Sequence, residues 1–180
     1  RDLADRNRRI PDLQNRLNNS IYITLPKLDK ELVRGFAQGK PVFGSWSHSG
    51  ALLQQEETDQ YFAKYVIPVD QRGNEFVYTF KGSSAHDGWV GLGLHFLASG
   101  SSAVNGYGYG SSYMIWLTRD PRNQTESSYI QLYQSFSDVH MVQIASAAIP
   151  FNVKDGVKAT VYINRLDKDI RVFVNDYYAF

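Results

Sequence analysis

The sequence contains no cysteine, and that absence removes disulfide frameworks, cysteine nucleophiles, zinc ribbons and iron–sulfur clusters together. It leaves the compartment open, because a cysteine-free chain is at home in either redox environment. An excess of charge of one sign is also lacking. Lys and Arg number 19 against 18 Asp and Glu, a net charge of +1, so the overall balance points neither to nucleic acid nor to an anionic membrane. No run approaches the roughly 20 apolar residues of a membrane-spanning helix, and the basic, polar N-terminus has no signal-peptide core. The sequence opens at Arg1 and not at Met, as a processed or excised chain would, with any targeting signal already removed.

What is present is a foldable composition. Of 180 residues, 43% are hydrophobic and 21% charged, far from the signature of disorder. Aromatics make up 14%, with 12 Tyr, 10 Phe and 3 Trp against 2 Met, which is the vocabulary of β-structure.

Residues 1–20 differ from the rest. Five arginines accompany Leu3, Ile10, Leu13 and Leu17 at roughly helical spacing, which predicts a basic helical arm or linker restarted at Pro11 and stopped by Asn18-Asn19-Ser20. A second short helix is predicted across Lys27–Ala37, where Leu28, Leu32 and Phe36 share a face. The β-domain is expected to occupy residues 21–180.

From about Val42 the period becomes two. Tyr61 to Ile67, Phe76 to Phe80, Val90 to Phe96, Tyr113 to Thr118, Tyr129 to Tyr133, Met141 to Ile144, Val157 to Ile163 and Ile170 to Val174 all read as strands. Turn chemistry separates them: Asp70–Asn74, Gly82-Ser83-Ser84, the Gly/Ser loop Ser99–Ser112, Asp120–Asn123, Asp155-Gly156 and Asp167–Asp169. Eight or more strands without interleaved helices predict a mainly β fold, a sandwich or barrel of antiparallel sheets.

The strand Gly-Trp-Val-Gly-Leu-Gly-Leu-His-Phe (Gly88–Phe96), a second core strand at Tyr113–Thr118 and a late hairpin ending Val172-Phe173-Val174-Asn175 together resemble the concanavalin A-like lectin, glucanase and laminin-G superfamily. The resemblance spans about residues 76–175 and implies an antiparallel β-sandwich of jelly-roll type. It further implies a concave face that often holds sugar, with a calcium ion sometimes at the rim. The acidic Glu-x-Asp-x-x-Glu strand of that group's enzymes is missing; Glu56-Glu57-Thr58-Asp59 has other spacing. The resemblance therefore supports binding or assembly and not hydrolysis.

Glycoside hydrolysis needs two carboxyl groups flanking the scissile bond. The candidates Glu56, Glu57, Asp59, Asp87, Asp120, Glu126 and Asp138 fall almost entirely in predicted loops, where solvated acids are expected. Serine catalysis needs a base and an orienting group; His48 has neighbouring hydroxyls, but no Gly-x-Ser-x-Gly elbow is present. His48, His86, His95 and His140 are scattered without metal-binding spacing. Gly106–Ser112 lacks the Lys-Ser/Thr ending of a phosphate loop and is expected to be a mobile surface loop whose tyrosines could serve as a lid. Asp120, Asn123 and Glu126, or Asp167 and Asp169, offer oxygen ligands for calcium without forming a calcium loop. No cofactor is expected. Asn18-Asn19-Ser20 and Asn123-Gln124-Thr125 are formal glycosylation sequons.

The richest constellation lies on strand faces. Strict alternation puts Val90, Leu92, Leu94 and Phe96, Tyr113, Ile115 and Leu117, and Ile130 and Leu132 toward a core. Gly91, Gly93 and His95, Met114, Trp116 and Thr118, and Tyr129, Gln131 and Tyr133 then occupy the reverse faces, with the glycines forming a smooth platform. Tyr162 and Phe173 extend this set if their strands join it. Flat aromatic area beside directional hydrogen-bonding groups suits a sugar, and the same residue types suit a protein interface. Cover by residues 1–60 is the bland alternative. The expectation is a non-catalytic, extracytoplasmic lectin-like module that binds a glycan or cell-envelope polymer through His95, Trp116, Tyr129, Gln131 and Tyr133. The alternative is a structural subunit of an envelope, sheath or filament that uses the same face for protein contacts, self-association included. A glycan hydrolase or lyase comes third.

Overall fold

A computed structural model describes residues 36–50, 52–57, 59–84, 86, 88–119 and 128–180. The predicted arm at 1–20, most of the helix predicted from Lys27, Asp87, the turn holding Asp120, Asn123 and Glu126, and both sequons lie outside these residues. The chain divides into two compact units, with the boundary between Val69 and Asp70.

In the first unit, residues 36–38 are helical. Strand β1 (Lys40–Phe43) pairs antiparallel with β4 (Lys64–Val66), and β2 (Trp46–Ser49) forms a hairpin with β3 (Leu52–Gln55). The Trp46 indole N–H donates to the Phe43 carbonyl at 2.8 Å, and its ring lies 5.7 Å from that of Tyr65. Glu57 accepts the Ser45 amide N–H at 3.0 Å. That carboxylate therefore ties the start of the hairpin to its exit. The predicted strand from Tyr61 is shorter than expected, because Phe62 sits at φ 55, a left-handed conformation that extended pairing cannot include.

The second unit holds two four-stranded antiparallel sheets. One is a meander of β6 (Val90–Ser99), β7 (Ser111–Arg119), β8 (Ser128–Ser137) and β9 (His140–Ile149). The other runs in the order β12 (Tyr177–Tyr178), β11 (Asp169–Val174), β10 (Val157–Asn164) and β5 (Glu75–Gly82). Among the described strands of this unit, the β5–β10 ladder joins the pair that is not consecutive in sequence; it brackets the whole meander.

Period-two patterning explains how the sheets meet. Phe96, Ile115, Leu117, Ile130 and Leu132 from the meander share one buried cluster with Val157, Ala159, Val161, Val172 and Val174 from the other sheet. Two sheets that bury one face each against the other form a β-sandwich arrangement. Phe76, Tyr78, Phe96 and Tyr113 carry the contact across the layers as a run of rings, with successive centroids 6.0, 5.7 and 5.9 Å apart. Leu94, placed by alternation among the core residues, is only half-buried and stands outside the cluster.

The late hairpins are set by asparagines. Asn164 Oδ1 accepts the amide N–H groups of Leu166 and Asp167 at 3.0 and 3.1 Å, closing the β10–β11 turn. Asn175 and Asp176, at φ 45 and 66, make the two-residue β11–β12 turn, whose positive φ values match the twist of the flanking strands. Asn175 Oδ1 also accepts the Lys158 N–H at 2.8 Å, so the Val-x-Val-Asn ending has a local structural reason.

Ile115→Ala, at a side chain with no exposed surface, should cost about 2–5 kcal/mol in urea unfolding. Val77→Ala, at a half-exposed outward position, should cost about 0.5 kcal/mol or less. Equal losses would mean that the core is not where the two sheets meet.

Candidate functional site

The β6–β9 ladders place the expected residues on one surface. Gly91 pairs with Thr118 and Thr118 with Tyr129; Gly93 pairs with Trp116 and Trp116 with Gln131; His95 pairs with Met114 and Met114 with Tyr133. On β9, Ala148, Ser146 and Gln143 continue the three rows. A bulge between the partners of Leu132 and Tyr133 leaves Ile144 as the extra residue, so alternation along β9 is not perfect. Paired residues of an antiparallel sheet point the same way, and the core set points the other way.

The glycine platform is not an open floor. A Cβ at Gly91 would fall 1.8 Å from Trp116 Cζ2, and one at Gly93 would fall 2.9 Å from Cε3. The Trp116 indole thus lies across both glycines of the neighbouring strand, in space that any side chain would fill. The platform seats a ring of the protein itself. Trp89, one residue before β6, packs against that ring at 6.0 Å between centroids and 42°, and is 41% exposed. Trp89 was missed as a site residue although the pattern held the signal: extended back by one step, the Gly91, Gly93, His95 alternation includes it.

Beside the rings lies a row of neutral polar groups. The Tyr133 hydroxyl is 3.0 Å from Gln131 Oε1 and 3.1 Å from Gln143 Oε1. Burial holds the phenol above its ordinary pKa, so it is an uncharged donor and acceptor. Ser112 donates its hydroxyl proton to the Tyr109 carbonyl at 2.9 Å and therefore accepts from His95 Nδ1, also at 2.9 Å, which assigns a proton to that nitrogen. The His95 ring packs against Tyr109, 5.9 Å away. His95 is thus anchored in place, with Tyr109 itself buried.

Tyr109 belongs to the Gly/Ser loop, which was expected to be mobile. Asp138, in the β8–β9 turn, fastens it instead. Its carboxylate accepts the amide N–H groups of Ala103, Val104 and Gly110 at 2.9, 3.1 and 3.1 Å. Burial works to raise the Asp138 pKa, but the three amides and the Ser102 side chain outweigh it and lower the value to about 2. Gly108 donates to the Asp138 carbonyl at 2.8 Å, and the Tyr107 hydroxyl bonds the Val139 carbonyl. Cβ atoms at Gly106 and Gly108 would come within 2.2 and 2.0 Å of the carbonyls of Asp138 and Ser137. These glycines permit two backbones to touch. Asp138, expected to be a solvated loop acid, is the centre of this junction.

Tyr162 and Phe173 do not extend the Trp116 surface. They lie on the outward side of the other sheet, 5.6 Å apart edge to face, with Phe173 5.4 Å from Tyr178. The histidines stand on separate elements: His48 is on β2, His86 Nδ1 accepts the Gly88 N–H, and His140 packs on Phe136. Asp167 accepts from Asn164 Nδ2, and Asp169 pairs with Arg171 at 2.7 Å. Among the described residues, no group of three or more His, Asp and Glu is placed to hold a metal ion.

No family model, curated protein or solved structure matches the chain. What the fold defines is a mainly β protein with two antiparallel four-stranded sheets, one of which carries a surface of fixed aromatic rings and neutral hydrogen-bonding groups.

Gly91→Ala should displace the Trp116 ring, change tryptophan fluorescence and cost about 1–3 kcal/mol through overpacking; an unchanged emission spectrum would contradict the seating described. The depressed Asp138 pKa stabilises the fold fully above the ordinary carboxylate value of 3.8, and that stability is lost as pH falls from there through about 2. In urea unfolding across this window, Asp138→Asn should remove about 1–2 kcal/mol of the acid-dependent loss, after allowance for solvent screening.

Proposed function

We propose that this protein is a non-catalytic, lectin-like module that binds a glycan or cell-envelope polymer outside the cytoplasm. The observation that carries the reading is the Trp116 ring lying across Gly91 and Gly93 with Trp89 against it, beside Gln131 and Tyr133 on the same sheet surface. Aromatic rings offer apolar area to the C–H face of a pyranose, and amides and hydroxyls give direction. A ring fixed before binding loses little freedom when a ligand arrives. The ligand-binding set is His95, Trp116, Tyr129, Gln131 and Tyr133, to which we add Trp89. Neither the described core nor this surface holds a pair of carboxyl groups of the kind glycoside hydrolysis needs. Among the described residues no helix is long and apolar enough to cross a membrane.

The proposal includes membership of the concanavalin A-like jelly-roll class. It is supported by the two antiparallel sheets, the non-local β5–β10 ladder and the asparagine that closes the last hairpin. A second reading, a structural subunit of an envelope, sheath or filament, is favoured by β9. That ten-residue strand carries no Asp, Glu, Lys, Arg or Pro, and Val142 and Ile144 are about half exposed; unblunted strands of this kind pair with other chains.

Trp116→Ala should abolish retention in affinity gels containing the bound polysaccharide. Because the mostly buried ring fills the space over Gly91 and Gly93, the variant should also lose about 2–4 kcal/mol of stability, so retention is read at a temperature where circular dichroism shows it folded. Equal retention of wild type and variant would overturn the binding reading. Size-exclusion chromatography with light scattering tests the second reading. A mass of one chain at all concentrations and salt levels, with no co-eluting partner, would remove it.

A further inference from the structure

We propose that the ligand of the Trp116 surface is an electrically neutral glycan segment, lying across the strands from β6 toward β9. This rests on the glycan-binding reading above and names the class of sugar.

The argument comes from the two outward faces of the same unit. On the β5–β10–β11 sheet the outward positions follow the usual pattern for a solvated surface: Glu75, Lys81, Lys158 and Arg171 stand there. Charge also surrounds that sheet's turns, with Lys158 3.2 Å from Asp176 and Arg171 2.7 Å from Asp169. The outward face of the β6–β9 sheet differs. The three cross-strand rows that run from Gly91, Gly93 and His95 to Ala148, Ser146 and Gln143 contain no Asp, Glu, Lys or Arg. Arg119, the one ionic side chain of these four strands, has the parity of Ile115 and Leu117 and not that of Trp116. In a chain that is 21% charged, one outward face has the ordinary supply of ions, while among the described residues the strand rows of the other have none.

The chemistry follows from what such a surface can and cannot compensate. A uronate, sulfate or ammonium group brought against it would lose water without gaining an opposite charge, a penalty larger than that for a hydroxyl. Sugar hydroxyls meet suitable partners in the Gln131, Tyr133 and Gln143 groups, each able to donate and accept. The direction follows from the rows themselves. The rings lie at the β6–β7 end and the amides at the β8–β9 end, and three inter-strand steps span about 14 Å, room for a short oligosaccharide segment.

The test is affinity-gel retention of the whole chain on a panel of immobilised polymers, namely neutral glucan, mannan and galactan, anionic alginate and pectate, and cationic chitosan, at low and high sodium chloride. Retention by at least one neutral polymer, changed by less than about twofold when salt rises tenfold, is expected, since no ion pair is there to be screened. Gln131→Glu, which puts a carboxylate on the surface with nearly the same shape, should weaken that retention about tenfold or more. Retention confined to the anionic or cationic polymers, or binding lost as salt rises, would overturn the neutral-ligand inference while leaving a glycan-binding module. Retention on none of the polymers, or equal retention by Trp116→Ala, would overturn the underlying binding reading as well.

Discussion

The ladder between β6 and β7 is the constraint on which the rest of the second unit depends. From Val90 opposite Arg119 to Phe96 opposite Tyr113 it runs in unbroken register, and a slip of one residue would turn every side chain to the wrong face. In that register Phe96, Ile115 and Leu117 enter the shared core, while Gly93 comes to lie opposite Trp116. The core and the candidate site are two faces of one pairing. Burial of the apolar side fixes the register, and the register then brings the indole onto the only positions in β6 without side chains. The candidate surface is thus positioned by the hydrophobic contact between the sheets.

Beyond Phe96 the regular pairing breaks, with Leu97 at φ 50 and a register shift before Ser99. From there the Gly/Ser loop carries the chain to β7, and Asp138 organises it. One carboxylate gathers amides from both ends of the loop, so that Tyr109 is held under His95 and the upper end of the candidate surface inherits its order from the β8–β9 turn. The two outward faces diverge for related reasons. Ionic side chains keep one solvated, while rings and neutral polar groups occupy the other.

Much of this was legible in the sequence. Period-two runs located seven of the eight strands of the second unit's sheets, and β4 of the first unit, to within a few residues, since one buried face forces alternation whatever the neighbouring strand. The residues of the candidate surface followed from the same alternation. Other features were hidden. That Gly91 and Gly93 seat a tryptophan, and do not form an open platform, depends on which strand lies beside β6 and in what register. That Asp138 binds loop amides depends on a turn and a loop more than 25 residues apart meeting. The placing of Tyr162 and Phe173 on the opposite side depends on β10 joining β5, a pairing across the whole meander.

By itself the sequence determined that strands would form, which residues of most of them would enter the shared core, and that neither cysteine chemistry nor an excess of charge would take part. These are local properties, carried by residue type and two-residue periodicity. They did not show that β7 is buried on both sides, with Met114 and Thr118 as inaccessible as the core residues beside them. The tertiary structure alone decided which strands became neighbours and therefore which side chains met: Trp116 with the glycines, Trp89 with Trp116, Asp138 with the loop. The physical reason is that side-chain direction is set within a strand, whereas strand partners are chosen by burial summed over the whole unit, a quantity that no single segment contains.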